Sequence, residues 1–390
     1  MLLSQRTQLL DLLAQPTAPF REQHVSAWAE RALTEAGVPF CADPTGNLII
    51  GAASLPAYQK LLHARSAEPV RVFIAHMDHP GFHGVRWLSP QRLAVRWHGG
   101  APVKHVNGAK VWLADGQGDC GHGKITKVKL SASGMTIDSA EILFDRAAPA
   151  VGCRARTLFG GFAFRAPVWR SGKRIYTKAA DDLVGVFAII DSARHIWRRR
   201  SRAAVPPFIG LLTRAEEVGF IGAIAHFEQG WLTRARRPVL CVSLESSRTL
   251  PGARIGKGPV VRLGDRRTVF AADATQVLSE LAHKVLPKAH QRRIMDGGAC
   301  EASAATAYGL SAIGLSVPLG NYHNQGFEGG PDCAHAQGPA PEFVHIDDID
   351  GMLTLCRALM KKDLPWSHAW DGTRKSLQKR LRNYRKLLEP

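Results

Sequence analysis

The feature that most constrains this chain is a recurring order of apolar strand, polar turn and apolar helix. VPPFIGLLTRAEEVGFIGAIAHF places Glu216 and Glu217 between a strand and a helix. KAADDLVGVFAIIDSARHI runs from Asp181 and Asp182 into a long apolar helix, and VRVFIAHMD is a strand whose end delivers His76 and Asp78. Fully apolar strands alternating with helices predict an α/β sheet with helices on both faces and its chemistry at the strand ends. The spacing of Val25, Trp28, Ala32, Leu33 and Ala36 adds an amphipathic helix over residues 20–36, stopped by Gly37.

Between about residues 85 and 173 the pattern changes to short alternating runs such as RLAVRWH, AKVWLAD, GKITKVKL and GFAFRAPVWR, parted by Gly, Asp and Ser turns. That is the pattern of an inserted all-β barrel or sandwich. With 390 residues the chain is long enough for two domains. The expected division is a catalytic domain in two parts, 1–84 and 174–365, an insert at 85–173, and a basic tail at 366–390. In that tail Leu377, Leu381, Tyr384 and Leu388 share one face of a helix otherwise rich in Lys and Arg.

Hydrophobic residues make up 45% of the chain and charged residues 22%, which excludes a disordered protein. The formal charge of +18 raises an anionic partner, with nucleic acid through the tail or a membrane surface as the alternative, while solvated positive surface in a few loops and the tail is the expected reading. Seven cysteines without a CxxC pair exclude a disulfide scaffold and a zinc ribbon. No signal-peptide core and no span-length apolar run are recognisable, so the expected location is the reducing cytoplasm.

Five short stretches place potential ligands after apolar runs: His76 and Asp78, Asp181 and Asp182, Glu216 and Glu217, Glu245, and His323. Each stretch alone is unremarkable. Together they give the order His, Asp, Glu-Glu, Glu, His, and mixed imidazole and carboxylate sets suit zinc and similar divalent ions. Paired ions about 3.5 to 4 Å apart need a bridging carboxylate. Of two adjacent glutamates, one can ligate while the other serves as general base.

In sequence order these motifs, with DPTGNLI, LPGARIGKGPVVR and DGGACEASAA, resemble those of the tetrahedral and glutamyl aminopeptidases, cocatalytic di-zinc enzymes related to the aspartyl aminopeptidases. The resemblance implies a mixed-sheet zinc-exopeptidase domain with helices on both faces and an inserted barrel-like domain. It implies that His76 and Glu245 complete one metal site, Glu217 and His323 the other, with Asp181 bridging, Asp78 orienting His76 and Glu216 as general base. Two zinc ions are the implied cofactors, with cobalt or manganese as alternatives, peptides the substrates and a homo-oligomer the assembly. Two positions depart from the pattern: His79 stands where an acid often follows HMD, and Glu245 where Asp is usual.

The same constellation can hydrolyse other amides, so a deacylase or carboxypeptidase is the alternative enzyme, distinguished by an α/β lid in place of the barrel. A basic binding protein on a peptidase scaffold is the alternative outside enzymes. Cys300 and Glu301 read as a turn and helix start. Arg198, Arg199, Arg200 and Arg202 read as a solvated helix end, with phosphate binding as the alternative. Residues 324–341 read as a loop beside the active site.

Overall fold

The structure is a computed structural model that describes residues 1–145, 153–199 and 207–388. Its centre is a mixed eight-stranded sheet in the order Phe40–Ala42, Leu48–Ile50, Phe208–Thr213, Val70–His76, Val239–Arg248, Ser311–Leu319, Val260–Asp265, Gln291–Met295. The third to sixth of these run parallel to one another, which puts their carboxyl ends along one edge.

Every residue of Val70–His76 is buried, because alternate side chains serve opposite faces of a sheet covered on both sides. Phe73 and Ala75 enter the core that includes the helices Leu183–Arg199 and Ile346–Leu359. Val72 and Ile74 enter a second core with Leu55–His63, Ile221–Glu228 and Glu301–Ala307. The helix read over residues 20–36 spans Gln23–Glu35, and Gly37 after it takes a left-handed φ of 63°, where glycine is at no disadvantage.

The insert is a closed six-stranded barrel in the order Gly81–Ser89, Arg92–His98, Ile137–Leu143, Asp119–Leu130, Lys110–Ala114, Phe159–Phe162. Its first strand begins at Gly81, four residues before the pattern changes in sequence. GFAFRAPVWR divides: Phe159–Phe162 closes the barrel, whereas Val168–Ser171 and Arg174–Thr177 form a separate antiparallel sheet with Glu342–His345. Alternation gives strand character and not sheet membership, so the two hairpin strands look identical to barrel strands in sequence.

The basic segment is a helix, Asp371–Tyr384, with Trp370 Nε1 donating to Asp273 and with Leu377, Leu381 and Tyr384 exposed. Arg198 and Arg199 end the helix Leu183–Arg199, while Arg200 and Arg202 lie outside the described residues. Among the described residues no helix is long and apolar enough to cross a membrane.

Candidate metal centre

The parallel strands bring the separated motifs to one place, at their carboxyl ends. His76 is the last residue of its strand and lies in register with Thr213, the last residue of the neighbouring one. Beyond Thr213 the chain turns through a left-handed Ala215 into a short 3-10 turn, Glu216–Val218, which carries both glutamates. Glu245 lies toward the end of Val239–Arg248, Asp181 just before the helix that starts at Leu183, and His323 beyond Ser311–Leu319. Asn321, His323 and Asn324 all have positive φ, so the chain folds back sharply and aims the imidazole inward.

His76 Nε2 is 3.6 Å from Asp181 Oδ1, and His323 Nε2 is 3.8 Å from Asp181 Oδ2 and 3.1 Å from Glu217 Oε2. Asp181 therefore lies between the two histidines, one oxygen toward each. Ligand atoms of His76, Asp181 and Glu245 fall within 4.8 Å of one another, as do those of Asp181, Glu217 and His323. His76 also groups with Glu216 and Glu217. Among the described residues, every cluster of three or more such ligand groups belongs to this one centre.

Among the described residues, buried Asp181 Oδ1 and Glu217 Oε1 have no hydrogen-bond partner, and His323 Nε2 faces only carboxylates. Orphaned acceptors and an imidazole nitrogen converging among carboxylates are costly unless a cation joins them, so the donor set fits divalent metal. Burial opposes a proton on His76, but Glu216, Asp181 and Asp78 outweigh it and hold the ring well above its ordinary pKa. Burial raises the Glu216 carboxyl well above the usual range, aided by Glu301, Glu217 and Asp78 and opposed by His76.

Asp78 is wholly buried, and its carboxylate accepts the N–H groups of Glu216 at 2.9 Å and Glu217 at 3.1 Å. The nearer partner of His76 Nδ1 is the Asp78 carbonyl, 3.1 Å away, with the carboxylate at 3.6 Å. Asp78 thus fixes the turn bearing both glutamates as well as the histidine. His79 joins the same framework, with Nδ1 2.9 Å from the Asp181 carbonyl and Nε2 3.1 Å from Asn324 Oδ1.

Several residues of the centre carry no recognisable signal in sequence. Glu342 accepts from the N–H groups of Ala180, Asp181 and His323, at 2.7, 3.2 and 2.9 Å, and so ties the segments of Asp181 and His323 together. Glu301 starts its helix as its sequence predicts, but its carboxylate is buried beside Glu216 and Glu245 and accepts from Thr213 Oγ1. From the barrel, Gly100 packs so closely that a Cβ there would lie 2.0 Å from His323 Nδ1. Residues 324–341 pack on the barrel through stacked His105 and His335 and an Arg165–Asp332 ion pair.

Glu342→Ala is expected to lower metal affinity roughly ten- to a hundred-fold, the usual effect of removing a group that orients ligands. It leaves three backbone donors without their partner, at about 1 to 3 kcal/mol for each one left buried and dry. Metal titration beside a thermal melt checks both effects, and unchanged affinity would remove Glu342 from the centre.

Residues 60–327 match the family model of the M42 glutamyl aminopeptidases. The chain belongs to that family. The TET1 peptidase of Pyrococcus horikoshii, which can assemble into a tetrahedron or a large octahedral shell, is similar in fold with a TM-score of 0.70 at 20% identity, over 92% of this chain and 99% of that one. A TET aminopeptidase from a marine sediment archaeon of the Thaumarchaeota has a TM-score of 0.71 at 17% identity, over 95% and 99%. An M18-family aminopeptidase of Thermotoga maritima has a TM-score of 0.63 at 13% identity, over 92% and 96%. No functionally curated protein matches the sequence.

Proposed function

We propose that this M42 member is a dinuclear metal aminopeptidase that prefers peptides with an acidic N-terminal residue. The observation that carries the two-metal reading is Asp181, set between His76 and His323 with one oxygen toward each. His76 and Glu245 complete one ligand set, and Glu217 and His323 the other. When bound, the cations supply Lewis acidity to a water and to the scissile carbonyl. Glu216, fixed at its N–H by Asp78, takes the proton of the attacking water at its carboxylate and returns it to the leaving amine.

The closed barrel, whose Gly100 abuts His323, favours this reading over a deacylase with an α/β lid. The acidic preference rests on Arg248 and Arg262, which line the cavity beside the ligands. The guanidinium of Arg262 is buried, its Nε and Nη1 make no hydrogen bond to any described residue, and Nη1 is only loosely ion-paired with Glu245 at 3.9 Å. A substrate carboxylate would supply what those donors lack. The family's glutamyl name agrees with that choice, and a homo-oligomer, as in the TET neighbours, is the proposed assembly.

Metal-stripped protein reloaded with zinc, cobalt or manganese should cleave Glu- and Asp-aminoacyl amides and leave N-blocked peptides intact. Replacing Arg262 by Met should reduce the Glu-over-Leu ratio of kcat/KM by about ten-fold or more, the worth of a hydrogen bond to a charged group. Cleavage of blocked peptides alone would favour the deacylase. A wild-type preference for Leu would overturn the role of Arg262.

A further inference from the structure

Three residues before Asp181, Lys178 is 6% exposed and its ammonium makes no hydrogen bond to any described residue. It lines a cavity of about 160 Å³ between the end of the first helix, the barrel and the segment leading to Asp181. Ala14, Pro16, Trp112, Phe162 and Phe164 make the walls apolar, while Asp119 and His122 are exposed residues on its border. The ammonium rests over the Trp112 ring at 4.1 Å. A π face attracts a cation but satisfies none of its three N–H donors, so the burial is only partly offset.

We infer that this cavity is a binding site, separate from the metal centre and beyond the proposed peptidase reaction, for a small monocarboxylate with an aromatic or branched apolar body. The size agrees, since an apolar cavity of about 150 Å³ admits benzene. The chemistry agrees as well: apolar walls take the body, and the unpaired ammonium takes the carboxylate in a charge-assisted bond. Burial pushes the ammonium down to about 7, and Asp119 is the charged group that acts against that shift. An anion bound inside would favour the protonated form more directly than Asp119, whose carboxylate is engaged by the Gly121 N–H.

The site also touches the framework behind the ligands. The Lys178 carbonyl accepts from Asn324 Nδ2, and Asn324 Oδ1 meets His79, which meets the Asp181 carbonyl.

The test is fluorine NMR titration of the full chain with 4-fluorobenzoate and, for comparison, 4-fluorobenzamide, each on metal-stripped and on zinc-loaded protein. The acid should bind about ten-fold or more tightly than the amide, equally with and without zinc. Lys178→Met should remove the difference. Ala163→Phe, which fills the cavity and keeps the lysine, should abolish binding of both; if Lys178→Met fails to fold, this variant decides. Equal binding of acid and amide, or binding indifferent to the cavity-filling variant, overturns the inference. Binding that vanishes with the metal would assign the acid to the metal centre instead. Because binding is read on stripped protein, the result stands or falls apart from any peptidase activity.

Discussion

Glu216→Gln should retain its full metal complement and lose about two to four orders of magnitude in kcat, the usual contribution of a positioned general base. Gln keeps the length and shape of the side chain, and the N–H that anchors the turn to Asp78 is main chain and survives. What disappears is a carboxylate whose burial raises its proton affinity well above the ordinary range, the direction a general base working near neutrality requires. The measurement is turnover on an aminoacyl amide beside elemental analysis of the same sample. Near-normal turnover would dismiss Glu216 as the base. A loss of metal would instead make it a ligand, consistent with its 3.8 Å approach to His76.

Asp181→Ala should fail differently, by losing metal before chemistry can be judged. Both oxygens of Asp181 lie between the histidines, and removing them deprives both ligand sets at once. The main-chain N–H that Glu342 accepts and the carbonyl that His79 meets remain, so the fold should survive. Fewer than two ions per chain and activity down by about three orders or more are expected, a loss of the size that metal-assisted steps supply. Two ions still present would assign the bridge elsewhere. Asp182 is the first alternative in sequence, although its Oδ1 accepts from the Gly185 N–H.

His76, Glu216 and Glu245 stand out as candidates because each lies at or near the end of a buried strand or follows one, whereas Asp181 is marked by the apolar helix it precedes and by the family resemblance. The long helices and the change to barrel strands were legible through a visible change of period. Glu342 was not: it sits in a four-residue strand, EFVH, with no ligand spacing, and acts only on backbone N–H groups. Gly100 was invisible because its contribution is the absence of a side chain beside His323. Asp78 was legible as a partner of His76, but its hold on the Glu216 and Glu217 N–H groups depends on strand register. Such roles belong to pairs of segments distant in sequence, and a pattern read along one segment contains only half of each.

The barrel's first and last strands are paired with one another, Phe82 opposite Gly160 and His83 opposite Phe159. The polypeptide therefore enters and leaves the insert at adjacent points. For the unfolded chain, His76 and Asp181 are the ends of a loop of about a hundred residues, and once the barrel has closed they are joined by an effective tether of about twenty-five. At about 0.6 kcal/mol per doubling, this shortening removes roughly 1.2 kcal/mol from the entropy cost of bringing the two ligands together. With the barrel closed first, bringing His76 and Asp181 together is the shorter closure. Lengthening a barrel hairpin away from residues 99–100 should accordingly slow that first event and leave the second unchanged, since the tether between His76 and Asp181 does not grow.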